Sequence, residues 1–142
     1  MRQALATPAI EFDLEPAAME LGPAREKLRT WLRSIGLDRE TEDELVVVAV
    51  ELWSNAIEAT PRGGDPVHFV ARVDGTSVHL EVSNEARVDG WSGEFTPPTD
   101  PMRDRGRGLS IVDALTDTMT VVSGRERTVV RCTRVLPALN AS

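Results

Sequence analysis

The segment 44–59 has a broad apolar surface and a narrow polar stripe when it is drawn as a helix, and this pattern constrains the fold most. At about 100° per residue, its apolar side chains cover roughly 200° of the helix surface. They are Leu45, Val46, Val48, Ala49, Val50, Leu52, Trp53, Ala56, Ile57 and Ala59. We therefore expect a helix at 41–60 that is buried over most of its circumference.

The polar stripe of this helix consists of Glu44, Glu51, Ser54, Asn55 and Glu58. Glu51 and Asn55 are four residues apart and share a helix face. A carboxylate without a partner is unfavourable inside a protein, so we expect the stripe to face a cavity, a ligand or solvent. An ordinary amphipathic helix with a hydrated stripe has the same spacing, and spacing alone does not choose between these interpretations.

Composition and charge limit the kind of protein. The 142 residues suit one domain, 1–142, with a two-layer core. The net charge of −7 argues against binding a nucleic-acid backbone over the whole surface. No apolar run has the length of a membrane span and no signal-peptide core is present, so we expect a cytoplasmic protein. Cys132 has no second thiol and is expected to be buried in a strand, and His68 and His79 lack a third metal ligand.

Alternating and helical patterns predict five strands and three helices. We expect strands at 9–14, 67–73, 77–83, 119–123 and 128–135, and helices at 24–35, 41–60 and 109–115. Thr41 and Glu44 have the spacing of a capping box at the start of the second helix. Clustered strands and clustered helices favour an α+β fold, in which a mixed sheet is covered on one face by helices.

A segment without periodicity, about 84–107, is rich in glycine and proline. A loop of this length in a compact domain tends to be functional, and we expect it to form a lid. It ends in Arg105-Gly106-Arg107-Gly108-Leu109, directly before a helix. Glycine backbone N–H groups and the helix dipole favour an anion such as phosphate at that position. A mobile loop before an ordinary helix gives the same pattern, with solvated arginines.

The helix and the loop together supply the parts of a phosphoryl-transfer site. Asn55 offers an oxygen ligand that suits Mg²⁺. Glu51 can accept a proton from a hydroxyl group or a water molecule that attacks a phosphate. The glycines supply the phosphate cradle.

These two motifs resemble those of a known family. Glu51-x-x-x-Asn55-Ala56 resembles the N-box, and Gly106-Arg107-Gly108-Leu109 resembles the second glycine box, of the ATPase superfamily that contains gyrase, histidine kinases and MutL. The short chain, without a phosphoacceptor-histidine segment, is most similar to the bacterial anti-sigma-factor serine kinases. The resemblance covers nearly the whole chain and implies the Bergerat-type two-layer fold.

The resemblance implies ATP and Mg²⁺ as cofactors, Glu51 as the general base and Asn55 as the metal ligand. The partners that it implies are an anti-anti-sigma (STAS-type) protein, which carries the substrate serine, and a sigma factor, with a homodimer as the usual assembly. Arg25 in the first helix matches a partner-binding arginine, and Thr128 matches a position that helps to hold adenine. A solvated helix arginine and a plain strand threonine are the alternatives for these two residues.

The chain departs from the family pattern at the first glycine box. Asn84 replaces an aspartate that accepts the exocyclic amine of adenine, and Ala86 and Val88 replace glycines. The carbonyl oxygen of Asn84 can still accept that hydrogen bond, without the carboxylate's charge. Two hypotheses follow: an ATP-dependent serine kinase that sequesters a sigma factor, and a non-catalytic partner-switching module with weakened or lost nucleotide binding.

Overall fold

The computed structural model describes residues 8–85, 104–124 and 126–136, and for 104–108 it describes the backbone only. The strands are β1 Ala9–Leu14, β2 Val67–Asp74, β3 Ser77–Glu85, β4 Thr118–Ser123 and β5 Arg127–Val135. The helices are α1 Leu21–Ser34, α2 Arg39–Ala59 and α3 Asp104–Leu115, and a short 3-10 helix, Ala18–Glu20, precedes α1. Every predicted strand and helix is therefore present; β1 has the predicted ends, and the ends of the other elements are shifted by a few residues.

The strands form one sheet in the order β1-β2-β3-β5-β4. The α+β class is confirmed, but all four described pairings are antiparallel, so the expected mixed sheet is wrong. Two helices joined by a short connection are antiparallel neighbours, and they return the chain so that β2 runs opposite to β1. One helix, α3, separates β3 from β4, which makes these two strands parallel. They do not pair because β5 lies between them.

One face of the sheet carries the core. Val67, Phe69 and Ala71 are fully buried on β2, and the residues between them are more exposed. The ring of Phe69 lies 5.2 Å from that of Phe12 and 5.0 Å from that of Trp53, measured between centroids. Since Trp53 belongs to α2, this aromatic cluster packs the central helix onto the sheet and fixes which of its faces remains free.

A buried ion pair joins α1 to α2. Glu42 is 2% exposed, and its carboxylate accepts hydrogen bonds from Arg29 at 2.7 Å and from Arg33 at 3.2 Å. Burial raises the pKa of Glu42, but the two arginines outweigh it, so the pKa lies below its ordinary value. The carboxylate is therefore ionised at neutral pH and holds the two helices together.

The cap of α2 differs from the prediction. The side chain of Asp38 accepts a hydrogen bond from the backbone N–H of Thr41, at 3.2 Å, and is the N-cap. Thr41 lies inside the helix and is 4% exposed, so the expected Thr41–Glu44 capping box is wrong. Aspartate is as good an N-cap as threonine or better, and here it starts the helix earlier.

The regular elements take up both ends of the predicted lid. β3 continues through Glu85, and α3 begins at Asp104, which leaves 86–103 outside the described residues. Ala86 and Val88 lie in that part.

Cys132 is 2% exposed on β5, as expected, and burial raises the pKa of its thiol to about 12. Within the three described stretches, no helix has the length and apolarity needed to cross a membrane.

Candidate functional site

A cavity of about 140 Å³ lies between α2, α3 and the end of the sheet formed by β3, β5 and β4. Its lining residues come from all five of these elements and are Leu52, Asn55, Ala56, Ala59, Val82, Asn84, Leu109, Val121, Thr128 and Val130. Four predicted cofactor-binding residues, Asn55, Asn84, Leu109 and Thr128, thus lie around one space. They are far apart in sequence, and the fold brings them together.

The cavity is mainly apolar with a few polar groups, which is typical of sites for organic ligands. Ala56 and Ala59 supply little side-chain volume on the α2 side, and this opens the space toward Val82 and Val130 of the sheet. A volume of 140 Å³ is close to the roughly 150 Å³ that admits a benzene-sized ring. The described walls therefore suit a flat ring, and further groups of a larger ligand would extend beyond them.

Asn84 is 3% exposed and is held by two features of β3 and β5. It pairs with Thr128 across the two strands. Its Nδ2 donates to the backbone carbonyl of Glu85 at 3.3 Å. This bond uses one of the two N–H donors of the amide, and the carbonyl oxygen can accept a hydrogen bond from a ligand. Thr128 completes this end of the cavity, with its hydroxyl 3.1 Å from that of Ser123.

Asn55 lies in the wall between this cavity and a second one. The second cavity, about 200 Å³, is lined by Ala18, Leu21, Ser54, Asn55, Ile57 and Glu58. The Nδ2 atom of Asn55 is buried and has no hydrogen-bond partner. A buried donor without a partner is unfavourable by about 1–3 kcal/mol, so a ligand oxygen at this position would remove a real cost.

Glu51 precedes Asn55 by one turn of α2, about 6 Å along the helix axis. It is half-buried and does not line either cavity. The polar stripe therefore has different surroundings along its length. Its first member, Glu44, forms an ion pair with Arg134 at 2.7 Å, whereas Ser54, Asn55 and Glu58 face the second cavity.

The predicted phosphate cradle lies inside α3. Because the helix begins at Asp104, Gly106 and Gly108 belong to its first turns, so the expectation that they precede a helix starting at 109 is wrong. The N–H groups of the first three residues of a helix have no partner within it, and here they belong to 104–106. The free donors therefore include the backbones of Arg105 and Gly106, whereas the N–H of Arg107, the fourth helical residue, belongs to the hydrogen bonds of the helix. The side chains of both arginines lie outside the described residues.

Arg25 is exposed on α1 and lines neither cavity. It follows Leu21, a residue of the second cavity, by four positions and so shares its helix face. The structure thus separates Arg25 from the cavity between α2 and the sheet and places it on the exposed surface of α1.

The turn residues of the segment 61–66 predict a loop, but the sequence did not indicate that this loop packs against the end of β3. The backbone N–H of Asp65 donates to the Glu85 carboxylate at 2.9 Å. A Cβ at Gly64 would lie 2.8 Å from a Thr60 methyl group and 2.9 Å from the Pro61 carbonyl oxygen, so only glycine fits this close approach. The adjacent Gly63, with φ of +78°, was visible in the sequence only as part of a turn.

Comparisons with known proteins agree with this geometry. A family model described as a histidine kinase-like ATPase domain matches residues 13–134. The crystal structure of the RsbU and RsbW domains of Rv1364c from Mycobacterium tuberculosis is similar, with a TM-score of 0.70 and 22% sequence identity. The match covers 96% of this chain and 35% of the Rv1364c chain, so the present chain corresponds to about a third of that larger chain. The likeness establishes the fold. No curated protein sequence gives a significant match.

Proposed function

Because the chain belongs to the histidine kinase-like ATPase domain family, we propose that it binds ATP with Mg²⁺ and acts as an anti-sigma factor with serine kinase activity. The observation that carries the proposal is the convergence of Asn55, Asn84, Leu109 and Thr128 on one cavity. Its size suits a flat ring such as adenine.

Adenine fits the polar groups at the sheet end of the cavity. The carbonyl oxygen of Asn84 would accept a hydrogen bond from the exocyclic amine, and the Thr128 hydroxyl offers a second polar contact. The ring faces would pack against Val82, Val130 and Ala56, which line the cavity.

Asn55 fits the polyphosphate and its metal. Its unpartnered Nδ2 can donate to a phosphate oxygen, and its amide oxygen is a ligand of the type that Mg²⁺ prefers. Among the described residues, no cluster of three or more His, Cys, Asp or Glu side chains could hold a metal ion. Mg²⁺ would therefore be held by Asn55, the phosphates and water, and it would neutralise phosphate charge.

Glu51 is the proposed general base. It lies on the same face of α2 as Asn55, one turn away, where a serine hydroxyl directed at the γ-phosphate can reach it. The hydroxyl proton passes to the Glu51 carboxylate as the serine oxygen bonds to phosphorus. The bond between phosphorus and the β–γ bridging oxygen breaks, and ADP leaves with that electron pair. The free N–H groups at the start of α3 would stabilise the negative charge of the transferred phosphoryl group.

The proposed substrate is a serine of an anti-anti-sigma (STAS-type) protein, and the second partner is a sigma factor. Arg25 on the exposed face of α1 would contact these partners, and a homodimer in the cytoplasm is the proposed assembly. The similarity of fold to the RsbU and RsbW domains of Rv1364c supports this class of function.

Calorimetric titration tests the nucleotide site directly. The wild-type protein should bind ATP in the presence of Mg²⁺, and Asn55→Ala should weaken binding at least about tenfold, or 1.4 kcal/mol. Ser54→Ala is the matched control, because Ser54 is the neighbouring residue and lines only the second cavity. It should bind ATP as the wild type does. Absence of heat from the wild-type protein at millimolar MgATP would refute nucleotide binding.

A second function, a non-catalytic partner-binding module, is favoured by the amide at position 84. Asn84 is nearly fully buried and uses one of its two N–H donors on a backbone carbonyl, and its neutral carbonyl oxygen replaces a carboxylate as the acceptor for adenine. This module would bind the same partners through α1 and transfer no phosphate. Transfer of the γ-phosphate from ATP to a purified STAS-type partner distinguishes the two functions.

A further inference from the structure

Arg134 connects three elements that are distant in sequence. Its Nη2 donates to the Glu44 carboxylate of α2 at 2.7 Å, and its Nη1 donates to the backbone carbonyl of Leu115 at 2.9 Å. Arg134 itself belongs to β5, and its side chain is 20% exposed. One guanidinium group therefore ties the C-terminal end of α3 to both α2 and the sheet.

This end of α3 is fixed by neighbouring bonds as well. The N–H of Asp117 donates to the Thr133 carbonyl at 2.7 Å, and the N–H of Val135 donates to the Asp117 carboxylate at 2.6 Å. A cation at the last carbonyl groups of a helix is also favoured by the helix dipole. The end of α3 next to Leu115 is thus anchored on β5.

The anchored end determines where the cavity end of α3 lies. Leu109, which lines the cavity, precedes Leu115 by six residues, or about 9 Å of helix. A helix of this length moves as a rigid rod, so a tilt at Leu115 displaces Leu109. Thr128, on the opposite wall, lies on the same strand and face as Arg134, since six residues separate them.

We propose that Arg134 is the positioning residue of the nucleotide site, which holds α3 against α2 and β5 so that the cavity keeps the width a nucleotide needs. The nucleotide part of this inference rests on the proposed function, and the geometric part does not. Arginine suits the position because its rigid fork donates to two acceptors at once, whereas the single ammonium group of lysine does not reproduce that geometry.

The chain offers a matched control for testing Arg134. Arg131 lies on the same strand but on the opposite face of the sheet, where its Nε donates to Glu81 at 2.8 Å. Arg131→Ala therefore removes an arginine and an ion pair from β5 without touching α3. The experiment compares Arg134→Ala, Arg134→Lys and Arg131→Ala by hydrogen exchange of the 109–115 amides and by calorimetric MgATP affinity.

We expect Arg134→Ala to speed exchange in 109–115 and to weaken MgATP binding, each at least about tenfold. Arg134→Lys should recover part of both effects, because lysine keeps one hydrogen bond. Arg131→Ala should stay within about twofold of the wild type in both measurements. Equal effects of Arg134→Ala and Arg131→Ala would overturn the inference, as would normal exchange and affinity in Arg134→Ala.

The two proposals fail in different ways. If the wild-type protein does not bind MgATP, the proposed function fails, and the exchange of 109–115 alone decides the role of Arg134. If Arg134→Ala does not fold, Arg134→Lys and Glu44→Ala replace it, because alanine at position 44 removes the acceptor of the Nη2 hydrogen bond. Faster exchange confined to α3 in these two variants supports the inference, and unchanged exchange refutes it.

Discussion

We expect Asn84→Asp to lower the stability of this protein and to raise its affinity for ATP. The substitution keeps the shape of the side chain and replaces an amide, 3% exposed, by a carboxylate. The carboxylate cannot donate to the Glu85 carbonyl, so the 3.3 Å hydrogen bond is lost. This loss costs about 1 kcal/mol, and desolvation of the ionised carboxylate adds about 3 kcal/mol, because a buried charge costs several kcal/mol until the group binds a proton instead. We expect a loss of about 4 kcal/mol in the free energy of unfolding at pH 7.

ATP affinity should rise by contrast. A carboxylate accepts the exocyclic amine in a charge-assisted hydrogen bond, which is stronger than the neutral bond by about 1 kcal/mol, or about fivefold in affinity. Asn84→Leu is the companion variant, because it removes both the donor and the acceptor without introducing charge. It should bind ATP several-fold more weakly than the wild type does.

Urea denaturation and calorimetry measure both effects. The new carboxyl group is stabilised in its neutral form by burial, so its pKa in the folded protein lies above that in the unfolded chain. The stability deficit of Asn84→Asp is therefore full above the folded pKa and disappears as the pH falls below the unfolded pKa. Unchanged stability at neutral pH would refute the burial of this side chain. Weaker ATP binding would refute the amide oxygen as the adenine acceptor.

Three other substitutions test the base, the helix clamp and the edge strand. Glu51→Ala should leave the MgATP affinity within about twofold of the wild type and lower the rate of phosphoryl transfer about 10²–10⁴-fold, whereas the control Glu58→Ala should keep the wild-type rate. Phosphoryl transfer retained in Glu51→Ala would show that Glu51 is not the general base. Arg29→Ala leaves the buried Glu42 with Arg33 alone and should lower the free energy of unfolding by about 2 kcal/mol, measured by urea denaturation at pH 7. Because pairing with arginine lowers the pKa of Glu42, this loss should vanish as the pH falls through that pKa, and a loss that stays constant with pH would contradict the assignment. Hydrogen bonds from His68 to Asp13 and Glu11 raise the pKa of His68. Below pH 6.5 the free energy of unfolding of the wild type should therefore exceed that of His68→Gln by under about 1 kcal/mol, and this difference should disappear as the pH rises through the raised pKa. A difference found only at about pH 9 would contradict the ion pairs.

Patterns local in sequence predicted the elements well. The apolar spacing in 44–59 identified α2, and alternation identified β1 with its observed ends, Ala9–Leu14. The start of α1 was placed too late because Gly22 and Pro23 suggested a turn. A proline in the first turn of a helix lacks only an N–H that would have no partner within the helix. The helix therefore begins at Leu21, before both residues.

The site needed information that local patterns do not hold. Asn55 and Asn84 could be paired only through the resemblance to a family, since their distance depends on where β3 lies relative to α2. The insertion of β5 between β3 and β4 is not visible in either strand, and it brings Thr128 opposite Asn84. The contact of Arg134 with Glu44 spans 90 residues and had no signal in the sequence.

The position of β5 in the sheet also determines when the cavity can form during synthesis. β5 comes last in the chain among the strands, yet it supplies Thr128 and Val130 from an interior position. A nascent chain that has folded only through β3 exposes an unpaired strand edge where Thr128 and Val130 should line the cavity. A nucleotide that needs contacts with both β3 and β5 cannot bind this intermediate. ATP at a hundredfold excess over its dissociation constant would then stabilise only the state in which β5 has joined the sheet, by about 2.7 kcal/mol, and so would favour that state.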